Sequence, residues 1–242
     1  MPSDSLCYRG NVCISGLTAA GKTTHSHLLA GEFGLTYVSG SQIQLNFLGV
    51  SPIQAKDFWI TKEASKLWDA EQFKRIDSEL LKIESINTGC IFDTSTMPWR
   101  HQRAALCIWL ESSLESRVLK SIVSHHGNSH YSLKEYPQKI GSKDKATIDL
   151  YRSLYNIEIG TDLTPFHLIL DLSQLIHAPT LDGSLRSIAI AHKVIRLAVA
   201  WYVTQRDDFK KQFETAVQDA PEGLIMRNLI GSVTAPDGDR AH

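Results

Sequence analysis

The stretch Gly16-Leu17-Thr18-Ala19-Ala20-Gly21-Lys22-Thr23 constrains this chain more than any other, because it fits the pattern G-x-x-x-x-G-K-[ST]. The apolar run Asn11-Val12-Cys13-Ile14-Ser15 leads into it and reads as a buried parallel strand. Thr24-His25-Ser26-His27-Leu28-Leu29-Ala30 follows with apolar residues at helical spacing. Strand, glycine-bounded turn and helix in this order predict an α/β chain that holds a polyphosphate at the positive end of the helix. Gly16 and Gly21 let the backbone curl until several N–H groups converge on one anion. Lys22 is expected to reach the outer phosphates as a point charge, and the hydroxyl of Thr23 to ligate a bridging Mg2+, with Thr24 as a second hydroxyl. A glycine-rich turn that binds nothing is the bland alternative.

A chain of 242 residues suffices for one α/β domain with a small appendage. The net charge of −1 gives no electrostatic footprint for nucleic acid. No apolar run is long enough to predict a membrane span, and Met1-Pro2-Ser3-Asp4-Ser5 lacks the start of a secretory signal, so a cytoplasmic protein without membrane partners is expected. Cys7, Cys13, Cys90 and Cys107 lack C-x-x-C spacing and read as reduced, buried small hydrophobes. His125, His126 and His130 have no cysteine or carboxylate close by, so a solvated loop is favoured there over a metal site. His25 and His27, two apart on a helix, face different ways.

Leu35 to Ser39 reads as a second strand that ends in a polar loop, Gly40-Ser41-Gln42. In a parallel sheet the carboxyl ends of strands face the ligand crevice, which puts Ser39, Ser41 and Gln42 where an acceptor substrate would lie. Ile53 to Ile86 looks helical, with Phe58, Leu67, Phe73, Ile76, Leu80 and Ile83 as apolar faces and Trp59 and Trp68 among them. Gly89 to Asp93 is a third strand with a carboxylate at its tip. Asp93 there can hold Mg2+ or take a proton from an attacking hydroxyl, or it caps a turn in Asp93-Thr94-Ser95. Trp99, Arg100 and Arg103 lie just beyond and could stack on and neutralise an acceptor, or form an ordinary solvated loop. Ala105 to Leu110 is a fourth strand, and Ser113 reads as the N-cap of the helix after it. Arg117 and Lys120 share one face of that helix and look toward a polar segment, 125–147, that carries Lys134, Lys139, Lys143 and Lys145. That segment reads as a basic lid or as a solvated charge run.

The strand, the glycine loop and its helix, Thr36-Tyr37-Val38-Ser39-Gly40, the run Ile108 to Arg117 and Tyr151-Arg152-Ser153-Leu154-Tyr155-Asn156-Ile157 together resemble the cytidylate kinases, particularly the compact archaeal type, over roughly residues 10–175. The resemblance implies a P-loop kinase-type α/β fold: a parallel five-stranded sheet flanked by helices, a helical acceptor-binding insertion (46–88), a lid (125–147), and Phe166 to Ser173 as the last strand. With ATP and Mg2+ as cofactors, catalysis is expected to be positioning plus electrostatics: the loop amides and Lys22, Mg2+ on Thr23, Arg117 and Lys120 on the transferring phosphoryl group, and Asp93 near the attacking hydroxyl. The departures lie on the acceptor side. The family's phosphate-gripping arginine after the second strand falls at Leu45, with Gln42 and Gln44 as the nearest polar groups. The Gly-Arg after the third strand is Thr94-Ser95, and two lid arginine positions hold Lys143 and Leu150. Each arginine lost removes charge-assisted bonds of about 1.5–3 kcal/mol to a phosphate.

An ATP-dependent phosphotransferase with an altered small-molecule acceptor is the expectation: a modified nucleotide, a nucleoside or another hydroxylated metabolite. A genuine CMP or dCMP kinase, a non-catalytic ATP-binding protein and an NTP hydrolase are the alternatives. Beyond the core (1–180), Leu185 to Tyr202 is apolar at helical spacing, and Phe209, Phe213 and Val217 with Leu224, Ile225 and Leu229 suggest a further helix or two. This extension (181–233) could cap the sheet, form a homodimer surface or reach over the acceptor. The last residues, 234–242, read as disordered.

Overall fold

The computed structural model describes residues 10–50, 70–103, 105–124 and 134–232. Cys7, the expected helix over 53–69 with Phe58, Trp59, Leu67 and Trp68, the histidines His125, His126 and His130, and the tail 234–242 lie outside the described residues.

Six strands form one sheet: β1 (Asn11–Gly16), β2 (Thr36–Ser39), β3 (Cys90–Asp93), β4 (Ala105–Glu111), β5 (Leu168–Asp171) and β6 (Ile225–Asn228). Their order is β2-β3-β1-β4-β5-β6. The first five run parallel, as the sequence predicts, with Cys13 level with both Phe92 and Cys107. β1 and β3 are buried along their whole length because helices cover both faces, which is why these strands read as unbroken apolar runs. Alternation survives inside those runs. Leu106, Ile108 and Leu110 join one core cluster with Val12 and Ile14, while Ala105, Cys107 and Trp109 join the other with Cys13 and Phe92.

Among the described residues the helices are α1 (Lys22–Phe33), α2 (Gly40–Leu48), α3 (Ala70–Ile86), α4 (Met97–Arg100), α5 (Leu114–Ser124), α6 (Tyr136–Tyr155), α7 (Leu181–Thr204) and α8 (Asp207–Gln218). Phe73, Ile76 and Leu80 of α3 and Tyr151 of α6 pack on the Trp109 face; Leu29 of α1, α7 and α8 pack on the other. Ser113 caps α5 as expected, its Oγ accepting from Ser116 N at 3.2 Å. The expected polar loop at Gly40-Ser41-Gln42 is instead the first turn of α2. Ser39 at the tip of β2 acts as its N-cap, accepting from Gln42 N, so strand passes straight into helix.

The C-terminal extension corrects a second expectation. Leu224, Ile225 and Leu229 do not continue a helix. Pro221 cannot supply a helical N–H, and Gly223 adopts φ 78°, which breaks the helical path. The chain then finds the open edge of β5: Asp171 N donates to Leu224 O, Leu229 N donates to His167 O, and Ile225–Asn228 pairs antiparallel as β6. Of the roles open to the extension, the structure displays sheet capping. By length and composition α7 could cross a membrane, but 61% of its apolar window is buried inside the fold, with Ala191, Val194, Ile195 and Ala198 packed in the cluster of Val12 and Ile14.

Candidate active site

The turn after β1 is shaped by residues that must be small or left-handed. A Cβ on Gly16 would come within 2.6 Å of the Leu110 carbonyl oxygen, while Ala19 (φ 62°) and Gly21 (φ 112°) curl the backbone before α1 starts at Lys22. Ala20 is buried beneath the curl. Lys22 Nζ folds over the loop and donates to Gly16 O at 2.8 Å and Leu17 O at 2.9 Å. Burial pushes its ammonium below its ordinary value, with Asp93 and Asp144 acting in the opposite direction.

Two residues of α6 close the loop from above. Asp144 accepts from Thr18 N at 2.9 Å and from the Arg117 guanidinium, which also donates to Thr18 O and to Ser112 O, each at 3.0 Å. Arg117 is thus fully engaged behind the loop. Lys143 lines the cavity beside Lys22; burial and the Lys22 charge lower its ammonium to about 8. Asp144 did not stand among the candidates from sequence, whereas Lys143 stood there as one of the lysines of the expected lid. A carboxylate that ties a helix to a loop more than 100 residues away leaves no local signal.

At the tip of β3, Asp93 Oδ2 accepts from Thr23 Oγ1 at 2.6 Å and from Tyr37 OH at 3.0 Å. Burial and the Asp93 charge push the Tyr37 phenol up, which keeps it a donor. A hydroxyl and a carboxylate side by side at a P-loop form the hard-oxygen donor set that Mg2+ accepts while keeping its remaining waters or phosphate ligands. The residues present therefore fit that ion.

One cavity of about 620 Å³ runs from this turn to α2, α3 and α6. Its donor end holds Gly16, Leu17, Thr18, Ala19, Lys22, Thr23 and Lys143. Its far end holds Ser39, Ser41, Gln42, Gln44, Leu45, Phe73, Asp77, Thr94, Ser95 and Tyr151. Asp77 is engaged by Arg100 at 2.8 Å and by Thr96 Oγ1 at 3.0 Å; burial raises its carboxyl and the Arg100 charge opposes that. Among the described residues, the lysines and arginines that line the cavity are Lys22 and Lys143.

Several expected site residues stand elsewhere. Trp99 donates its indole N–H to Asp162 at 2.9 Å and meets Phe166 edge-on, Arg100 pairs with Asp77 and lies over the Tyr155 ring at 3.9 Å, and Arg103 is exposed. None of the three lines the cavity, because internal partners claim Trp99 and Arg100 and Arg103 faces solvent. Lys120 is likewise outside, donating to Ser112 Oγ at 3.1 Å, and burial lowers its ammonium to about 8. Thr24 is exposed on α1, away from the lining.

The cytidylate kinase of Pyrobaculum aerophilum is 30% identical to this chain over 167 residues, which cover 68% of this chain and 84% of that protein. That of Pyrococcus horikoshii is 26% identical over 175 residues, covering 72% and 83%. The chain belongs to the cytidylate kinase family. No family model matches it. Among solved structures, a shikimate kinase from Acinetobacter baumannii in complex with shikimate matches with TM-score 0.44 and 15% identity, covering 80% of this chain and 97% of that one. Within the cytidylate kinase family this member places Leu45 and Thr94-Ser95 at the cavity where the resemblance implies arginines, while Lys143 keeps a cation at the third such position.

Proposed function

We propose that this chain is an ATP-dependent phosphotransferase whose acceptor differs from CMP. The observation that carries the reading is the Thr23–Asp93 pair at 2.6 Å beside Lys22, at the end of a cavity whose other end is lined by neutral amides, hydroxyls and apolar side chains. Loop amides and Lys22 orient the triphosphate, with Lys143 as a second cation on it. Thr23 and Asp93 would hold Mg2+, which supplies charge neutralisation at the phosphates. The acceptor hydroxyl attacks the γ-phosphorus. Its new P–O bond forms as the bond to the β–γ bridging oxygen breaks, ADP leaves, and the hydroxyl proton passes to the Asp93 carboxylate. Asp144 and Arg117 act as positioning residues that fix Thr18, and α6 shields the reacting groups from water.

The test is ADP release from Mg·ATP with CMP, dCMP, UMP, AMP, cytidine and hydroxylated metabolites, with Lys22→Ala as control. Turnover on a non-phosphorylated hydroxyl compound, lost in the control, is the expected result. Efficient turnover of CMP would return the chain to its relatives' named activity, phosphate release without acceptor would make it a hydrolase, and silence throughout would leave a non-catalytic binder.

A further inference from the structure

Among the far-end polar side chains without a hydrogen-bond partner among the described residues, Ser41 is exposed and Ser95 half-buried, whereas Gln44 is buried. It is 6% exposed, it lines the cavity, and its side-chain amide has no hydrogen-bond partner among the described residues. Its neighbours are already engaged: Ser39 Oγ by Gln42 N, Gln42 Nε2 by Asn46 Oδ1, Thr94 Oγ1 by Met97 N, and Asp77 by Arg100 and Thr96. Asn11 Nδ2, Ser26 Oγ and Tyr202 OH are the fully enclosed unpaired side-chain atoms among the described residues, and the Gln44 amide is not one of them; it meets the open cavity, where an entering group can pair with it.

The chemistry of that group follows from the amide. Gln44 presents a carbonyl acceptor next to an N–H donor, complementary to a planar edge that carries one donor beside one acceptor, as a pyrimidine or lactam does. It brings no charge, and the residue beside it is Leu45. Phe73 and Tyr151 line the same end, with ring centroids 5.6 Å apart in an edge-on arrangement, and offer an aromatic wall to a flat ring. We infer that Gln44 is the acceptor-specificity residue of this chain, and that it reads the base edge of an uncharged nucleoside. The inference rests on the phosphotransferase reading for the meaning of the bound nucleoside, and on geometry alone for its binding.

Calorimetry with cytidine and uridine tests it, in the presence of Mg2+ and a non-hydrolysable ATP analogue, on the wild type, Gln44→Leu and Gln44→Glu. The expected result is nucleoside binding by the wild type and a Kd raised at least about tenfold in both variants, because Leu removes the pair and Glu replaces the donor by an acceptor. Affinity for the analogue and the melting temperature stay level. Gln44→Glu keeps the size and polarity of the residue should Leu disturb α2. Absence of nucleoside binding by the wild type, an unchanged Kd in both variants, or CMP bound tenfold more tightly than cytidine would each overturn it. Gln44-dependent binding without Lys22-dependent ADP release would uphold the inference and sink the phosphotransferase reading. Turnover of a polyol that ignores Gln44→Leu would do the reverse.

Discussion

The two ends of the cavity are built on different plans. At the donor end nearly every polar group is bonded to another part of the protein: Lys22 to loop carbonyls, Thr23 and Tyr37 to Asp93, Thr18 and Arg117 to Asp144. At the acceptor end an amide faces the cavity without a partner, and an aliphatic side chain stands where the family resemblance implies arginine. A site that holds a triphosphate gains from preorganisation, since fixed dipoles need no rearrangement as charge moves. On the proposed reading the acceptor end has a different ligand and keeps the groups that ligand pairs with. The ends should therefore respond differently to substitution: loss of rate and stability at one, changed selectivity at the other.

The largest effect is expected at Asp93. Asp93→Asn keeps an oxygen for Thr23 but removes the charge, the proton acceptor and a Mg2+ ligand, so kcat should fall by about 10²–10⁴-fold and Mg·ATP should bind more weakly. Steady-state ADP release measures this, and a loss below threefold would remove Asp93 from the chemistry and break the contrast at its centre.

Asp144→Ala comes next. It strands Arg117, which is 7% exposed in its side chain, without a counter-charge, and it frees the Thr18 N–H. Breaking one side of such a buried pair costs about 3–5 kcal/mol. Urea denaturation should show that loss, and a change under 1 kcal/mol would mean that the donor end is not braced by α6.

Leu45→Arg probes the acceptor end. Each charge-assisted bond to a phosphate is worth about 1.5–3 kcal/mol, so one new bond should raise kcat/KM for CMP by about 10–100-fold while leaving turnover of an uncharged acceptor flat or reduced. No gain with CMP in a folded variant would show that Leu45 does not face an acceptor phosphate position, and the contrast would lose its simplest cause.

How much of this was legible in the sequence follows the same division. The loop Gly16–Thr23 is a local pattern at fixed spacing along one strand-turn-helix, the Ser113 cap is local to its own helix, and Asp93 was legible as the carboxylate that ends an apolar strand, although it meets Thr23 from 70 residues away. Four of the parallel strands were legible because apolar runs end in turns, and the fifth, within Phe166 to Ser173, came from the family resemblance. The sequence does not show that Trp99 and Arg100 stand off the cavity, because Asp162, Asp77 and Tyr155 engage them from distant segments. Gln44 was passed over in favour of Gln42 because the stretch read as a loop. Once Ser39 caps a helix there, Gln44 and Leu45 reach the cavity together, and Gln42 spends its amide on Asn46. β6 was invisible because a short half-buried strand takes its identity from the edge it pairs with.

The effect farthest from the chemistry lies behind the donor end, where α1 meets the C-terminal extension. His25 is 2% exposed, its Nδ1 lies 3.3 Å from His192 Nδ1, and the His192 ring contacts Glu32 at 3.2 Å on the other side. Burial lowers the His25 imidazole to about 3, with the His192 and Lys120 charges adding to it. Because the folded value lies below the unfolded one, the unfolded chain takes up the proton first as pH falls. The stabilisation is complete above about pH 6.5 and is lost progressively toward pH 3, by up to about 1.4 kcal/mol per pH unit. Carboxylates titrate in part of the same window, so the informative quantity is the difference between the wild type and His25→Gln. The variant's stability should fall less steeply between pH 6.5 and about 4.5, read by urea denaturation at fixed ionic strength. Parallel slopes would mean that the imidazole is solvated when folded, and that the donor end draws no support from α7 through this pair.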